Sequence, residues 1–184
     1  MGLLSALRAR FFSPELCRVA KKTDIAATIE CLARTPVVVV GADLGNAVQF
    51  GEEESQIITI AEAAAQKKSF EGDIHKYVID DQVYLPVFTD AAAAGAFCGA
   101  YVDLLGHIHA FRLFRVPGAY LRHWIADGDM VIVDSQSNHE VEIDPSGSRA
   151  VRDGLPDSSG FEQAEFLSLV LPIPGISRPI EFRP

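Results

Sequence analysis

Val83-Tyr84-Leu85-Pro86-Val87-Phe88-Thr89-Asp90, followed by Ala91 to Phe97, decides the fold of this chain. Val83, Leu85 and Val87 alternate with Tyr84, Pro86 and Phe88, so an extended segment here has two apolar faces and both demand cover. A strand of that kind belongs in the interior. Pro86 cannot donate to a ladder, which predicts an edge on one side or an interruption of pairing at that point. Thr89 and Asp90 are N-cap residues. Ala91 to Ala94 is a strong helix-forming run that continues through Phe97, Tyr101 and Leu104 at helical spacing. The unit reads strand, cap, helix.

Upstream, Pro36 to Val40 is a continuous β-branched run, the pattern of a strand buried on both faces. Before it a helix opens near Asp24 and reaches Arg34, with Ile25, Ile29 and Leu32 on one stripe and Glu30 and Arg34 turned away. Leu3, Leu4, Leu7, Phe11 and Phe12 form a short amphipathic N-terminal helix closed by Ser13-Pro14. Gly41 to Gly51 is a polar connection and Gln56 to Ile60 a strand, while Ala61 to Lys68 suits a helix by propensity and a loop by position. Ile74 to Ile79 and Val83 to Thr89 are joined by Asp80-Asp81-Gln82 as a hairpin.

Downstream, Ile108 to Val116 is a strand ended by Pro117-Gly118. A helix carries Leu121, Trp124 and Ile125, and the Asp127-Gly128-Asp129 turn leads into a strand at Met130 to Val133. His139 to Ile143 has the alternation of a strand with one wet face. From Pro145 to Gly160 the composition turns to Ser, Gly, Pro and Asp, which marks a surface linker. Phe161 to Phe166 reads as a helical turn and Leu167 to Ile173 as an extra strand that completes the sheet or reaches a partner.

These elements give an α+β fold: a single domain whose mixed β-sheet holds residues 36 to 40, 74 to 79, 83 to 89, 110 to 116, 130 to 133 and 139 to 143. Helices at residues 24 to 34, 91 to 104 and 119 to 126 pack against it. In domain terms, residues 1 to 22 form the N-terminal amphipathic helix and 23 to 145 the domain. Residues 146 to 160 are the linker and 161 to 184 a C-terminal extension.

A chain of 184 residues, 48% hydrophobic and 22% charged, is long and apolar enough for one sizeable core. Its formal charge of -9, from 16 basic and 25 acidic residues, argues against a nucleic-acid binder that works by phosphate neutralisation. Cys17, Cys31 and Cys98 are too few and too scattered for a disulfide framework or a CxxC metal site, which fits reduced thiols in the cytoplasm. No signal-cleavage pattern or membrane-length segment follows the first twelve residues, and Gly2 meets Ala6 where the myristoylation template wants Ser or Thr. No membrane role is expected.

Candidate chemistry is thin. His107 and His109 fall on one face of a strand, a spacing some metal sites use, but catalytic zinc wants a third ligand, and Asp103, His123 and His139 are candidates only if the fold gathers them. Cys98 with His107 would make a thiol nucleophile if imidazole held a thiolate near it, against the commoner reading of an inert buried cysteine. Asp80, Asp81, Asp90, Asp127, Asp129 and Asp134 all sit at element ends, where turn and cap chemistry accounts for them. Gly41-Ala42-Asp43-Leu44-Gly45-Asn46 lacks the glycine spacing and the Lys-Ser/Thr pair of a phosphate loop. Glu52-Glu53-Glu54 reads as a solvated face, or as a contact for a basic partner. No residue is assigned as catalytic, cofactor-binding or metal-ligating.

Val-Tyr-Leu-Pro-Val-Phe-Thr-Asp, a short helix, a strand, a Leu-rich helix and an apolar strand ending in a turn is similar to the N-terminal domain of the SseB family, over roughly residues 25 to 145. Asp24 to Arg34 matches the family's opening helix, Pro36 to Val40 its first strand, Tyr120 to Ala126 its second short helix and Met130 to Val133 the strand after it. Where the family places an Asn-Pro pair, this chain has Asp134-Ser135. The resemblance implies an SseB-like α+β fold with no cofactor and a non-enzymatic protein-interaction or regulatory role. The alternative is a metal- or thiol-dependent enzyme or binding protein centred on His107, His109 and Cys98. Self-association through residues 1 to 12 or 161 to 184 is a third reading.

Overall fold

The structure is a computed structural model that describes residues 15–41, 74–105, 111–158, 163–171 and 180–182. The expected N-terminal helix, the strand at Gln56 to Ile60, the segment Ala61 to Lys68 and the Glu52-Glu53-Glu54 run lie outside the described residues.

Two short helices come first, α1 (Glu15–Ala20) and α2 (Ile25–Arg34). Asp24 caps α2, its side chain accepting from the Ala27 N–H at 3.0 Å. Strand β1 (Pro36–Val40) then enters the core, and every residue from Val37 to Val40 is buried. Val37 and Val39 face one apolar cluster and Val38 and Val40 the other, as a β-branched run with no polar face requires.

The hairpin of β2 (Tyr77–Ile79) and β3 (Gln82–Val87) turns on Asp80 and Asp81 alone, with Gln82 already paired to Ile79. Both aspartates have positive φ, 49° and 63°, as the tightest hairpin turns demand. Beyond Tyr84 the partner strand β2 has ended, so Pro86 sits where that ladder has stopped. Leu85 to Phe88 are buried, and helix α3 (Ala91–Leu105) follows with Asp90 as its cap, accepting from the Ala93 N–H at 2.8 Å.

Strand β4 (Phe111–Pro117) runs into a 3-10 turn (Gly118–Tyr120) and α4 (Leu121–Trp124). Gly118 lies under the end of α2, where an added Cβ would stand 2.4 Å from the Leu32 carbonyl oxygen and 2.7 Å from that of Thr35. Only a glycine permits this backbone approach. Strands β5 (Met130–Val133) and β6 (Val141–Ile143) follow, then α5 (Pro145–Gly154), β7 (Glu165–Leu171) and β8 (Ile180–Phe182).

The fold is α+β, as expected, but its strands form two four-stranded sheets. One has the order β1-β4-β7-β8 and is antiparallel throughout; the other has the order β2-β3-β5-β6, with β3 and β5 parallel. The reason for the division is local. β1 spends its pairing on β4, and what joins its end of the first sheet to the second is a pair of isolated bridges: Val38 and Phe88 exchange backbone hydrogen bonds of 2.8 and 2.9 Å, and Gly41 is bridged to Ile74 just ahead of β2. One core fills the space between the sheets, α1, α2 and α5; the second lies under α3, around Phe88, Ala94, Phe97, Cys98 and Leu113.

Two further expectations are corrected. The stretch Pro145 to Gly160, read as a surface linker, contains α5, capped by Asp144 and opened by Pro145 at its first turn. Its Gly and Ser content is a packing device: Ser148 and Val151 are fully buried, and a Cβ on Gly154 would come within 2.4 Å of Ile29 Cδ1 on α2. Likewise Glu165 and Phe166, expected in a helical turn, are the first residues of β7. That strand pairs with β4 from Phe111 to Arg115 and carries β8 on its other side, so the described part of this segment belongs to the first sheet.

Candidate functional site

Among the described residues two places stand out, and they do different work. The first is the Asp134 carboxylate at the end of β5. Asp134 is 2% exposed and sits at φ 50°, its N–H bonded to the Val87 carbonyl. Its Oδ1 accepts from the Thr89 N–H at 2.7 Å, and its Oδ2 accepts from the Thr89 hydroxyl at 2.7 Å and the Cys17 thiol at 3.1 Å. Burial, and after it the hydrogen bond to Asp134, pushes the Cys17 thiol far above its ordinary range. A buried carboxyl group supplied by three neutral donors is a rivet: it ties α1, the end of β3 and the end of β5 together.

Asp129 does a similar job one turn earlier. It is 4% exposed, accepts from the Ala126 N–H at 2.8 Å and holds the Lys76 ammonium at 2.6 Å. Gln82 adds a bond from its side-chain amide to the Gly128 carbonyl at 2.7 Å, which fixes the hairpin against the Asp127-Gly128-Asp129 turn. Lys76 and Gln82 thus anchor both ends of the hairpin.

The second place is the hairpin edge so anchored. β2 ends the order of its sheet, and Val78 and Ile79 are 64% and 50% exposed, on opposite faces of the strand. Beside them Tyr77 stacks on Tyr84, ring centroids 5.1 Å apart and planes 7° apart, and its hydroxyl lies 3.5 Å from that of Ser135. The signature strand itself, Leu85 to Phe88, is covered and presents nothing to solvent.

The residues singled out from sequence fare unevenly. His107 and His109 lie outside the described residues, and among the described residues no three His, Cys, Asp or Glu side chains gather as metal ligands. His123 Nε2 is 2.6 Å from the Ser158 carbonyl, and the His139 N–H donates to the Ser137 hydroxyl. Asp80, Asp81 and Asp90 are turn and cap residues, as their positions implied, and Asp127 pairs with Arg149 and Arg152. Asp134 and Asp129 were read as turn residues too; only their burial reveals the rivets, and nothing local in the sequence encodes it.

Cys98 is fully buried on α3 among Phe88, Phe97 and Leu113, and burial pushes its thiol far up. A thiolate is the nucleophilic form, so this sulfur is inert at neutral pH. Cys17 and Cys31 are buried and unpaired as well. A thiol reagent added to the native protein at neutral pH is therefore expected to label none of the three cysteines until denaturant is added. Rapid native labelling at Cys98, located by peptide mass, would contradict the packing.

An open cleft of about 220 Å³ lies between the start of α2, the end of β6 and the start of α5, lined by Ile25, Thr28, Glu142 and Ser146 among others. Each helix start there is already capped by its own aspartate. Hydrogen bonds from the Gly147 N–H and the Ser146 hydroxyl hold the Asp144 carboxyl below its ordinary range. Comparison with known protein families, with curated proteins and with solved structures finds no match to this chain.

Proposed function

We propose that the chain is a non-enzymatic protein-interaction or regulatory module of the SseB-like kind, acting in the cytoplasm through the free edge of its β2–β3 hairpin. The observation that carries this reading is the pair Val78 and Ile79, exposed on opposite faces of an edge strand. Proteins ordinarily blunt such edges with a charge, a proline or a bulge, because an open strand with apolar flanks templates pairing. β2 has none of these within its three residues; its protection is its shortness and the charges of Lys76, Asp80 and Asp81 at its two ends. The anchoring of both hairpin ends supports the reading further, since a rigid edge loses little entropy on association.

The partner in this reading is a protein, a second copy included. Nucleic acid fits poorly with a formal charge of -9. Among the described residues no helix is long and apolar enough to cross a membrane.

Affinity capture of the tagged protein from lysate of its own source, beside a Val78→Lys variant, tests the reading. The wild type is expected to retain a protein that the variant loses by about tenfold or more, as for a residue central to a contact. The variant's thermal midpoint should stay unchanged, because the position is exposed. Equal capture by both forms, or none by either, would overturn the proposal.

A further inference from the structure

We infer that the exposed face of α1, with the basic and apolar sequence ahead of it, lies against a membrane surface rich in anionic lipid. The contact is peripheral, and it is separate from the hairpin edge.

Charge is divided unevenly along the chain. Residues 1 to 22 hold Arg8, Arg10, Arg18, Lys21 and Lys22 against the single acid Glu15, a net +4, which leaves -13 on the rest to make the whole -9. An asymmetry of this kind points to an anionic partner for the basic part.

The fold puts part of that positive charge on show. α1 is tied down by its other side, where Leu16, Cys17 and Ala20 are buried and the Cys17 thiol donates to Asp134. The Lys21 N–H bonds to the Cys17 carbonyl and the Lys22 N–H to that of Val19, so the coil continues past Ala20. Arg18, Lys21 and Lys22 therefore stand three and four residues apart on the opposite face, and all three are exposed. Among the described residues none of them forms an ion pair. The carboxylates close by are engaged elsewhere. Glu15 and Glu30 lie 3.9 and 3.6 Å from the Arg34 guanidinium, Asp24 caps α2 and Asp144 caps α5.

Three cations alone would suit any polyanion. What selects a bilayer is the sequence just ahead, where Leu3, Leu4, Leu7, Phe11 and Phe12 accompany Arg8 and Arg10 and no acidic residue occurs from 1 to 14. Those residues lie outside the described part of the structure, and the argument from them is one of composition. Large apolar side chains gain nothing on a phosphate backbone, which is held by charge and hydrogen bonds, but they gain by leaving water at the boundary between headgroups and acyl chains. Cations beside Leu and Phe are the composition of interfacial segments. The opposing charge of the rest of the chain is screened over about 8 Å at physiological ionic strength, so the groups nearest the surface decide. With the exposed face of α1 laid flat, those groups are its cations. A contact of this kind needs no segment that crosses the membrane.

Sedimentation of the full chain with vesicles tests the inference. Wild type is expected to pellet with vesicles of phosphatidylcholine and phosphatidylserine mixed about two to one, and to stay in solution with phosphatidylcholine alone. Replacing both lysines, Lys21→Gln with Lys22→Gln, should weaken binding by roughly 25-fold, about fivefold for each charge near the surface. The thermal midpoint should not move, because both positions are exposed. Phe11→Ser keeps every charge and should weaken binding by about tenfold or more, which separates burial in lipid from attraction. A wild type that ignores the phosphatidylserine vesicles, or binds both lipids equally, overturns the inference, as does either variant binding as tightly as wild type. Retention on immobilised heparin without vesicle binding would assign the cations to a soluble polyanion and overturn it too.

Discussion

Asp134→Ala should lower the unfolding free energy by about 3–5 kcal/mol, because three donors lose their common buried acceptor. The substitution removes the acceptor for the Thr89 N–H, the Thr89 hydroxyl and the Cys17 thiol at once. Those donors stay buried, and each buried donor left unsatisfied costs roughly 1–3 kcal/mol. Alanine also fits the position badly, since φ is 50° there and a left-handed residue with a Cβ costs roughly 1–2 kcal/mol. Asp134→Asn separates the contributions. Asparagine tolerates the backbone and keeps Oδ1 for the Thr89 N–H, and its amide can donate to the Thr89 hydroxyl after that hydroxyl rotates, so about half the loss is expected. Urea unfolding of the three proteins reads the difference. Equal midpoints for wild type and Asp134→Ala would mean that the carboxylate is not a rivet.

Phe88→Ala should cost about 3–5 kcal/mol, the range for deleting a buried phenylalanine ring. Phe88 is fully buried, its ring lies 5.3 Å from that of Phe97, and its backbone makes the bridge to Val38 between the two sheets. The cavity would open where the sheets meet under α3, a site walled by Val38, Val40 and Leu113 on strands whose backbone is fixed by pairing. Little collapse is available to relieve it. In a domain of this size each kcal/mol moves the melting midpoint by roughly 2–4 °C, so a fall of about 10 °C is expected by calorimetry. A shift under about 3 °C would show that the sheets close over the space and that the bridge, not the ring, joins them.

Both residues lie in or beside the stretch that governs the reading of the sequence, and the contrast between them explains what is legible there. Phe88 announces its burial, because a two-faced apolar strand leaves no exposed position for it. Asp134 announces nothing, because an aspartate after a strand is the ordinary turn residue whether its carboxylate meets water or three donors from distant segments. The same limit hides the division into two sheets: Pro36 to Val40 reads correctly as buried on both faces, but periodicity carries no record of which strand lies beside it. Helix α5 is a different failure. Asp144 followed by Pro145 is a cap and a first-turn proline, a readable start, and the Ser and Gly content outweighed it. That content serves the close contact of Gly154 with Ile29. As for the candidate site, Tyr77 to Ile79 reads as an apolar strand in a hairpin, yet the sequence is silent on which of its sides is left open.

The place of β7 in the first sheet also governs how the chain is made. β1 and β4 can pair as soon as Pro117 has left the ribosome, and the second sheet can close once Ile143 has followed. The other edge of β4, with Phe111, Leu113 and Phe114 along it, must wait for Glu165 to Leu171. During that interval the nascent protein carries an almost finished body with one long hydrophobic ladder unpaired, the kind of edge that captures strands from neighbouring chains. Synthesis that stalls between Ile143 and Glu165 should therefore yield aggregates in place of a smaller soluble protein.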